Sequence, residues 1–160
     1  MSPAPWRIDL RTGKEYMVFD TDTLIHDQLQ KKCQIYGGYL PEPKDEKENT
    51  FLKDLGTGTF ILGMTDKATD GQWVWESDGS SVDWTKWIEW ANLLNEPNGG
   101  TAENCVAFAQ QLWKGMTGHA TDGWADINCT SDSWARSTKS LICEKERGLF
   151  TFYELGLIRV

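Results

Sequence analysis

The sequence contains 160 residues, of which 39% are apolar and 25% are charged, values typical of one compact globular domain. Its 16 Lys and Arg against 24 Asp and Glu give a formal net charge of −8, which argues against nucleic acid or an anionic membrane surface as partner, because both attract clustered basic residues. No apolar run reaches the roughly 18 residues of a membrane span, whereas the nine tryptophans indicate either an aromatic core or flat faces for a ligand.

The first part of the chain predicts a strand and a helix. Residues Glu15–Phe19 alternate between polar and apolar side chains, as in a short strand. The helix is expected to be capped by Asp22 or Thr23 and stopped by Gly37, because glycine accepts the left-handed conformation beyond a helix end. Its apolar positions recur at helical spacing: Leu24, Ile25, Leu29 and Cys33.

A second helix is predicted next, with Pro43 in its first turn and acidic residues near its positive end. Gly56 ends this helix, after which the pattern changes to short strands. The predicted strands are 60–64, 72–76, 105–108, 124–129 and 141–144. Residues 77–104 form a long loop, a feature that is usually functional in a compact domain. Helices followed by short strands predict an α+β fold.

Four widely spaced cysteines, Cys33, Cys105, Cys129 and Cys143, do not form the close pairs of a zinc or redox motif. Their even number is typical of disulfides in an oxidising compartment, although composition alone permits three pairings. Residues 1–6 lack the basic and apolar run of a secretory signal, which leaves an intracellular protein or a mature secreted chain. The cysteines favour the secreted chain.

Common catalytic signatures are absent from the sequence. It contains no GxSxG nucleophile motif, no GxxxxGK[ST] phosphate-binding loop and no HExxH zinc motif. His26 and His119 lie far apart without other histidines nearby, so we expect each to be a surface residue rather than a metal ligand.

Oxygen-bearing side chains in and after the long loop indicate a calcium site. Glu96-Pro97-Asn98 is followed by Glu103, and Asp126 comes shortly before Cys129. Calcium prefers carboxylate, amide and carbonyl oxygens. A disulfide between Cys105 and Cys129 would bring Glu103 close to Asp126, and a cis X-Pro bond would turn the Glu and Asn side chains towards one point. The alternative for Glu96-Pro97-Asn98 alone is a solvated turn.

Taken in order, these segments resemble the C-type lectin-like domain family over about Glu15 to Glu146. The resemblance is carried by residues 33–40, 48–52, 61–64, 73–75, 96–98, 103–105, 124–129 and 141–144. It implies disulfides Cys33–Cys143 and Cys105–Cys129. It also implies a Ca²⁺ ion held by Glu96, Asn98, Glu103 and Asp126, with two hydroxyls of one sugar completing the coordination. The Glu-Pro-Asn order is the family form associated with mannose-type and fucose-type glycans.

One departure from the family pattern concerns the predicted metal site. The Trp-Asn-Asp segment of sugar-binding members is here Trp124-Ala125-Asp126, so one amide ligand is missing. About five protein oxygens and two sugar hydroxyls would still satisfy calcium. We therefore expect weaker binding or an altered sugar orientation, and the alternative is a calcium-independent protein-binding or structural domain. The resemblance implies a second, auxiliary Ca²⁺ ion less strongly. The residues that match the ligand positions of that ion are Asp66, Asp70, Glu103 and Asn104.

Several further features stay open at the sequence level. Trp84, Trp87 and Trp90 have helical spacing; Trp84 resembles a core residue of the family, whereas Trp87 and Trp90 are candidates for stacking on a sugar. Asn128-Cys129-Thr130 is a glycosylation sequence of the rarer cysteine-containing kind, which we expect to be unused. The recognition domain is expected over 1–147, and the apolar extension 148–160 covers it or pairs with a second copy.

The sequence thus predicts a non-catalytic, calcium-dependent lectin for mannose- or fucose-containing glycans. A homo-oligomer would strengthen glycan binding through avidity. A glycosidase with paired carboxylates is the enzymatic alternative. This alternative is disfavoured because the expected arrangement clusters the carboxylates around a cation instead of placing them on both sides of a bond to be cleaved. The carboxylates concerned are Glu96, Glu103 and Asp126.

Overall fold

The computed structural model describes residues 6–56, 58–89, 95–109, 123–131 and 138–146. Within these ranges it contains two helices, seven strands and one 3-10 turn at Gly100–Ala102, in agreement with the predicted α+β class. The element bounds are β1 Arg7–Ile8, β2 Glu15–Thr21, α1 His26–Ile35, α2 Glu46–Leu55, β3 Phe60–Thr65, β4 Val74–Trp75, β5 Cys105–Ala109, β6 Gly123–Ile127 and β7 Lys139–Lys145.

The strands form two antiparallel sheets, with the orders β1-β2-β7 and β4-β3-β5-β6. In the first sheet, β2 pairs with β7 from Glu15↔Lys145 to Thr21↔Lys139, so the two ends of the described chain lie side by side. In the second sheet, the start of β5 pairs with the end of β6 through Cys105↔Ile127. This register brings the end of the long loop beside the last residues of β6.

Both helices begin where the local hydrogen bonds allow, which differs from the sequence expectation. The predicted cap of α1 by Asp22 or Thr23 is wrong: Ile25 precedes the helix without a side-chain cap, and Thr23 Oγ1 accepts the Ile25 N–H at 3.1 Å instead. Pro43 does not lie in the first turn of α2, because Asp45 caps that helix by accepting the Glu48 N–H at 2.9 Å.

The stop of α1 agrees with the expectation. Gly37 has φ of 82°, a left-handed conformation that favours glycine, and its N–H donates to the Gln34 carbonyl at 3.0 Å. The helix therefore ends just before the consecutive glycines Gly37 and Gly38.

Trp124 of β6 lies fully buried in the main core. The rings of Trp75, Trp84 and Trp87 meet it edge-on, with centroid distances of 6.4, 5.5 and 6.0 Å. Its Nε1 donates to Asn49 Oδ1 of α2 at 2.9 Å, so its one polar atom is satisfied although it is buried. The expected packing of Trp84 on the core is confirmed.

The helix suggested by the spacing of the tryptophans is wrong over the described residues 82–89, which contain no helix. The Trp124 N–H donates to the Lys86 carbonyl at 2.7 Å, and the Ile88 N–H donates to the Trp124 carbonyl at 3.0 Å. These bonds hold residues 86–88 extended along β6. In this conformation the backbone N–H and C=O groups of the segment pair with the edge of β6, and a helix would not make these bonds.

Two disulfides join Cys33 to Cys143 and Cys105 to Cys129, the pairs that the family resemblance implies. The first links α1 to β7 across a sequence separation of 110 residues. The second links the start of β5 to the segment after β6. Cross-links of this kind stabilise mainly by restricting the unfolded chain.

A buried group of charges joins the segment before β2 to α2 and β7. Lys14 Nζ lies 3.0 Å from both Glu48 Oε1 and Glu144 Oε1, and Glu144 is fully buried. Burial raises the pKa of Glu144 to about 7, although Lys14 and the Glu42 N–H act in the opposite direction. One ammonium is thus shared by two buried carboxylates and compensates neither completely.

Glu144→Gln is expected to flatten the pH dependence of stability between about pH 4.5 and about pH 7. The native state binds the Glu144 proton more tightly than the unfolded chain does, so the wild type loses stability as pH rises through this window. Relative to the variant, the free energy of unfolding of the wild type should fall by up to roughly 3 kcal/mol across this window. Urea unfolding across the window measures it. Glu46→Gln, at a side chain that is 59% exposed, is the matched control, and equal slopes for both variants would contradict the assignment.

Candidate functional site

The side chains of Glu96 and Asn98 lie against each other in the long loop. Asn98 Nδ2 donates to Glu96 Oε1 at 3.0 Å, and the Glu96–Pro97 peptide bond is cis, as expected from the sequence. The Glu96 N–H donates to the Ile88 carbonyl at 3.0 Å, which ties this segment to the extended residues beside β6. A carboxylate and an amide therefore converge at a defined place in the loop.

Asp126 of β6 holds the loop through its carboxylate. Oδ1 accepts the Asn98 N–H at 2.9 Å and Oδ2 accepts the Gly99 N–H at 2.8 Å, while the residue is only 4% exposed. Hydrogen bonds to an ionised acceptor are stronger than neutral ones. Asp126 therefore fixes the backbone of the residues that follow the cis bond.

Glu103 approaches the same segment from the other end of the loop. A Cβ atom at Gly99 would collide with Glu103 Oε2, so glycine at this position permits the close approach. Burial raises the pKa of Glu103, and the negative charge of Asp126 raises it further. Among the predicted calcium ligands, Glu96 and Asn98 therefore meet through a hydrogen bond, and Asp126 lies close to both Asn98 and Glu103.

Asp66 lies at the end of β3 near these residues and is 3% exposed. Its Oδ2 accepts the Gly71 N–H at 2.9 Å, whereas Oδ1 has no hydrogen-bond partner within the described ranges. Burial raises the pKa of Asp66 against the effect of the Gly71 N–H, and the charges of Asp70 and Asp126 contribute in the same direction as burial. A buried carboxylate oxygen without a donor is costly unless a cation or water is nearby.

The other predicted auxiliary ligands are placed less favourably. Asn104 Nδ2 donates to the Thr101 carbonyl at 3.1 Å, and the Asn104 carbonyl accepts the Thr65 hydroxyl at 2.9 Å. Asp70 is exposed. The structure thus brings Asp66 and Asp70 into electrostatic contact, while Asn104 is anchored through its side-chain Nδ2 and its backbone carbonyl.

The site carries negative charge that the described part of the protein does not compensate. No Lys, Arg or His side chain described here pairs with any of its carboxylates: Asp66, Asp70, Glu103 and Asp126. In the same ranges, no group of three or more His, Cys, Asp and Glu side chains is arranged as a metal centre. The donors instead combine carboxylates with the amide of Asn98, and hard oxygens of this kind suit calcium. The partnerless Asp66 Oδ1 and the raised pKa of Glu103 fit a cation in this region.

Ala125, which replaces the amide expected from the family pattern, is 2% exposed. It packs with Ile88 and Ala109 in a small apolar cluster. The sequence reveals the missing ligand but not this cluster, because Ile88 lies far from Ala125 in the chain. The departure therefore exchanges a polar position for a packed apolar one.

Of the two tryptophans proposed for sugar stacking, Trp87 lies within the described residues. Trp87 is half-buried, and its ring lies 5.2 Å from that of Trp73 and 6.0 Å from that of Trp124. It therefore contributes to the core and retains a partly exposed surface. Trp90 lies outside the described residues, as do His119 and the segment 148–160.

The expectation that His26 is a surface residue is wrong. His26 is 2% exposed, and its Nε2 lies 2.6 Å from Glu76 Oε1 after β4. The His26 N–H donates to the Cys129 carbonyl at 3.1 Å, which ties the start of α1 to the end of β6. Sequence reasoning missed this residue because its partners lie about 50 and 100 positions away and no local pattern marks them.

Residues 23–145 match the family model described as the lectin C-type domain. The chain belongs to the C-type lectin domain family. The resemblance inferred from the ordered motifs is therefore confirmed, and the matched range lies within the domain predicted over 1–147.

Two relatives are each 31% identical to this C-type lectin domain over the residues that align. The perlucin-like protein of Mytilus galloprovincialis is 31% identical over 136 residues, which cover 81% of this chain and 77% of that protein. C-type lectin domain family 3 member A of Homo sapiens is 31% identical over 123 residues, which cover 73% of this chain and 52% of that protein. The chain thus spans about half the length of the human relative.

Solved structures confirm the C-type lectin fold. The mouse scavenger receptor C-type lectin carbohydrate-recognition domain matches with a TM-score of 0.63 and 25% identity, over 89% of this chain and 96% of that chain. A calcium-independent type II antifreeze protein matches with a TM-score of 0.66 and 22% identity, over 91% and 95%. Because the fold includes a calcium-independent protein, it does not by itself decide whether this domain binds calcium. Neither described helix has the length and apolarity needed to cross a membrane.

Asp66→Asn is expected to raise the melting temperature of the calcium-free protein by a few degrees at neutral pH. The raised pKa of Asp66 means that its ionised form costs stability in the native state as pH rises above the ordinary value of 3.8. The amide removes this cost, so the advantage should vanish in acid. Thermal unfolding in chelator, with Asp83→Asn as an exposed control, measures the effect. A lower melting temperature for Asp66→Asn at neutral pH would contradict it.

Proposed function

We propose that this C-type lectin domain binds glycans through calcium, with a preference for the mannose or fucose arrangement of hydroxyls. The observation that supports this most is the attachment of the loop to Asp126 by two charged hydrogen bonds of 2.9 and 2.8 Å. The bonds hold the backbone of Asn98 and Gly99, and Glu103 lies against Gly99. Among the described residues, no basic side chain pairs with Glu103 or Asp126.

The ion would be held by Glu96, Asn98, Glu103 and Asp126. An auxiliary ion near them would be held by Asp66, Asp70, Glu103 and Asn104. When bound, calcium supplies coordination to two neighbouring sugar hydroxyls. Asp126 retains lone pairs for this purpose, because each of its oxygens accepts one backbone N–H. Its two roles are compatible, since one carboxylate has about four acceptor directions.

The sugar preference rests on the pairing of Glu96 with Asn98. The amide of Asn98 can donate to one hydroxyl while the carboxylate of Glu96 accepts from another. Their mutual hydrogen bond of 3.0 Å keeps the two side chains in a fixed relation before a ligand arrives. The resemblance associates this Glu-Pro-Asn order with equatorial 3- and 4-hydroxyls, as in mannose. Trp87 and Trp90 would then offer apolar contact to the pyranose face.

The proposal includes a non-catalytic role outside the cell. The Asp126 carboxylate is engaged with two loop N–H groups and lies near Glu103, an arrangement suited to holding a cation rather than to cleaving a bond. Two disulfides suit an oxidising compartment. Because affinity for one sugar is often low, a homo-oligomer would increase binding through avidity.

A calcium-independent domain that binds a protein or serves a structural role is the second candidate. Ala125 favours it, since an apolar cluster with Ile88 and Ala109 replaces the amide of the family pattern. The backbone bonds from Asn98 and Gly99 to Asp126 also shape the loop without an ion. This candidate predicts a folded loop in chelator and no glycan partner.

A glycan array, probed with calcium and again with chelator, tests the proposal. We expect binding to mannose- and fucose-terminated glycans that is lost in chelator and restored by calcium. Exchanging Glu96 and Asn98 for Gln and Asp should shift the sugar preference towards galactose. Mannose binding should weaken by about tenfold or more, which corresponds to about 1.4 kcal/mol of binding free energy or more. Glu89→Gln, at an exposed glutamate of the loop that precedes the Glu-Pro-Asn segment, is the matched control.

Three outcomes would contradict this assignment. Glycan binding that survives chelator would exclude the calcium mechanism. Mannose binding unchanged by the double exchange would place the sugar elsewhere. A protein that binds no glycan in either condition but keeps its fold would support the calcium-independent candidate.

Ala125→Asn is expected to lower the free energy of unfolding in chelator by roughly 1–3 kcal/mol, because it buries an amide among Ile88 and Ala109 without partners. Calcium should recover part of this loss, since the family pattern makes an amide at this position a ligand and ligands stabilise the state that binds them. Urea unfolding with and without calcium measures both effects. Ala107→Asn, at a fully buried alanine of β5, should lose stability with no such recovery. An equal loss of Ala125→Asn with and without calcium would place this residue outside the calcium shell.

A further inference from the structure

Asn128-Cys129-Thr130 is the one Asn-x-Ser/Thr sequence among the 160 residues. It lies directly after β6, which ends at the buried Ile127. Asn128 is half-buried, and Thr130 and Ser131 are exposed. From the sequence alone we expect this site to be unused, but its surroundings in the fold argue for modification.

The side-chain amide of Asn128 is oriented by three donors. Its Oδ1 accepts the Thr130 N–H at 2.8 Å, the Thr130 hydroxyl at 2.9 Å and the Ser131 N–H at 3.2 Å. Because two of these are backbone N–H groups, which only donate, the atom facing them must be the amide oxygen. Nδ2 is consequently the outer atom, and it has no acceptor in the described part of the protein.

The middle residue of the sequence is held in place from two sides. Cys129 Sγ forms the disulfide with Cys105 at the start of β5, and the Cys129 carbonyl accepts the His26 N–H at 3.1 Å. The amide of Asn128 is therefore presented from a fixed base beside two strands. A glycan attached to Nδ2 would leave the hydrogen bonds of Asn128 Oδ1 and the anchoring of Cys129 unchanged.

We propose that Asn128 carries an N-linked glycan. In the transfer, Nδ2 forms a bond to the anomeric carbon of a lipid-linked oligosaccharide diphosphate. The bond from that carbon to the diphosphate oxygen breaks, the lipid diphosphate leaves with the electron pair, and the amide proton passes to a base of the transferase. The inference rests on the secretory placement within the proposed function and is independent of calcium and sugar binding.

The position of Asn128 sets what the glycan would border. It follows Asp126 by two residues, which corresponds to about 7 Å along an extended chain. The attached glycan would begin beside the end of β6 that holds the candidate site loop. Its branches would therefore flank the candidate site.

Expression of the full chain behind a cleavable leader in eukaryotic secretory cells tests the proposal. We expect intact-mass analysis of the secreted protein to show added hexose and N-acetylhexosamine, which peptide N-glycosidase removes with conversion of Asn128 to aspartate. Thr130→Ser retains the acceptor sequence and should retain the glycan, whereas Thr130→Ala and Asn128→Gln should lose it. Thr130→Ala is the sharper variant, since it leaves Asn128 and the disulfide intact.

Secreted wild-type protein with the unmodified mass would overturn the proposal, as would a glycan that persists in Thr130→Ala. The same preparations can be assayed on the glycan array. Absence of calcium-dependent binding both in protein that is glycosylated at Asn128 and in the Asn128→Gln protein would contradict the proposed lectin function alone, so the two failures are distinguishable.

Discussion

The carboxylate of Asp126 is the interaction on which the arrangement of the candidate site depends. It binds the N–H groups of Asn98 and Gly99 from a strand that is paired with β5 along its length. The Cys105–Cys129 disulfide and the His26 N–H bond to Cys129 fix the end of that strand. The loop backbone at Asn98 and Gly99 is thereby attached to the sheet, a rigid support of the kind that positioned binding residues require.

Buried carboxylates in this domain occur in two contrasting environments. Glu144 and Glu48 share the ammonium of Lys14 at 3.0 Å, so their charge is partly compensated within the protein. Asp66 is buried and Glu103 is half-buried, and neither has such a partner in the described ranges. Burial raises the pKa of each carboxyl, and neighbouring negative charge raises it further. The first group stabilises the joining of helix and strands. The second leaves unfavourable charge in place, a property typical of functional sites rather than of packing.

Local sequence patterns predicted the parts of the fold that depend on local interactions. The glycine stop of α1 and the alternation in β2 were visible in short windows, and the ordered motifs identified the family. The caps of both helices were not: α1 begins after Ile25, a residue of low capping propensity, and α2 is capped by Asp45 rather than beginning near Pro43. The backbone bond from His26 to the Cys129 carbonyl shows that distant contacts help to decide where α1 begins. The contacts of His26 with Glu76 and of Ala125 with Ile88 join distant positions, so no spacing rule marks them. Within the site, residue types were predictable from motifs, whereas the use of Asp126 as a backbone acceptor required the three-dimensional arrangement.

The hydrogen bond from the Glu96 N–H to the Ile88 carbonyl has a consequence for divergence among related chains. It joins the two ends of the stretch before the Glu-Pro-Asn segment, so that Ile88 and β6 contribute directly to the position of Glu96. Closing a longer loop costs only slightly more entropy. Insertions and deletions between these two anchors can therefore accumulate without displacing Glu96, which makes this stretch a place where a new contact surface can evolve beside an unchanged site.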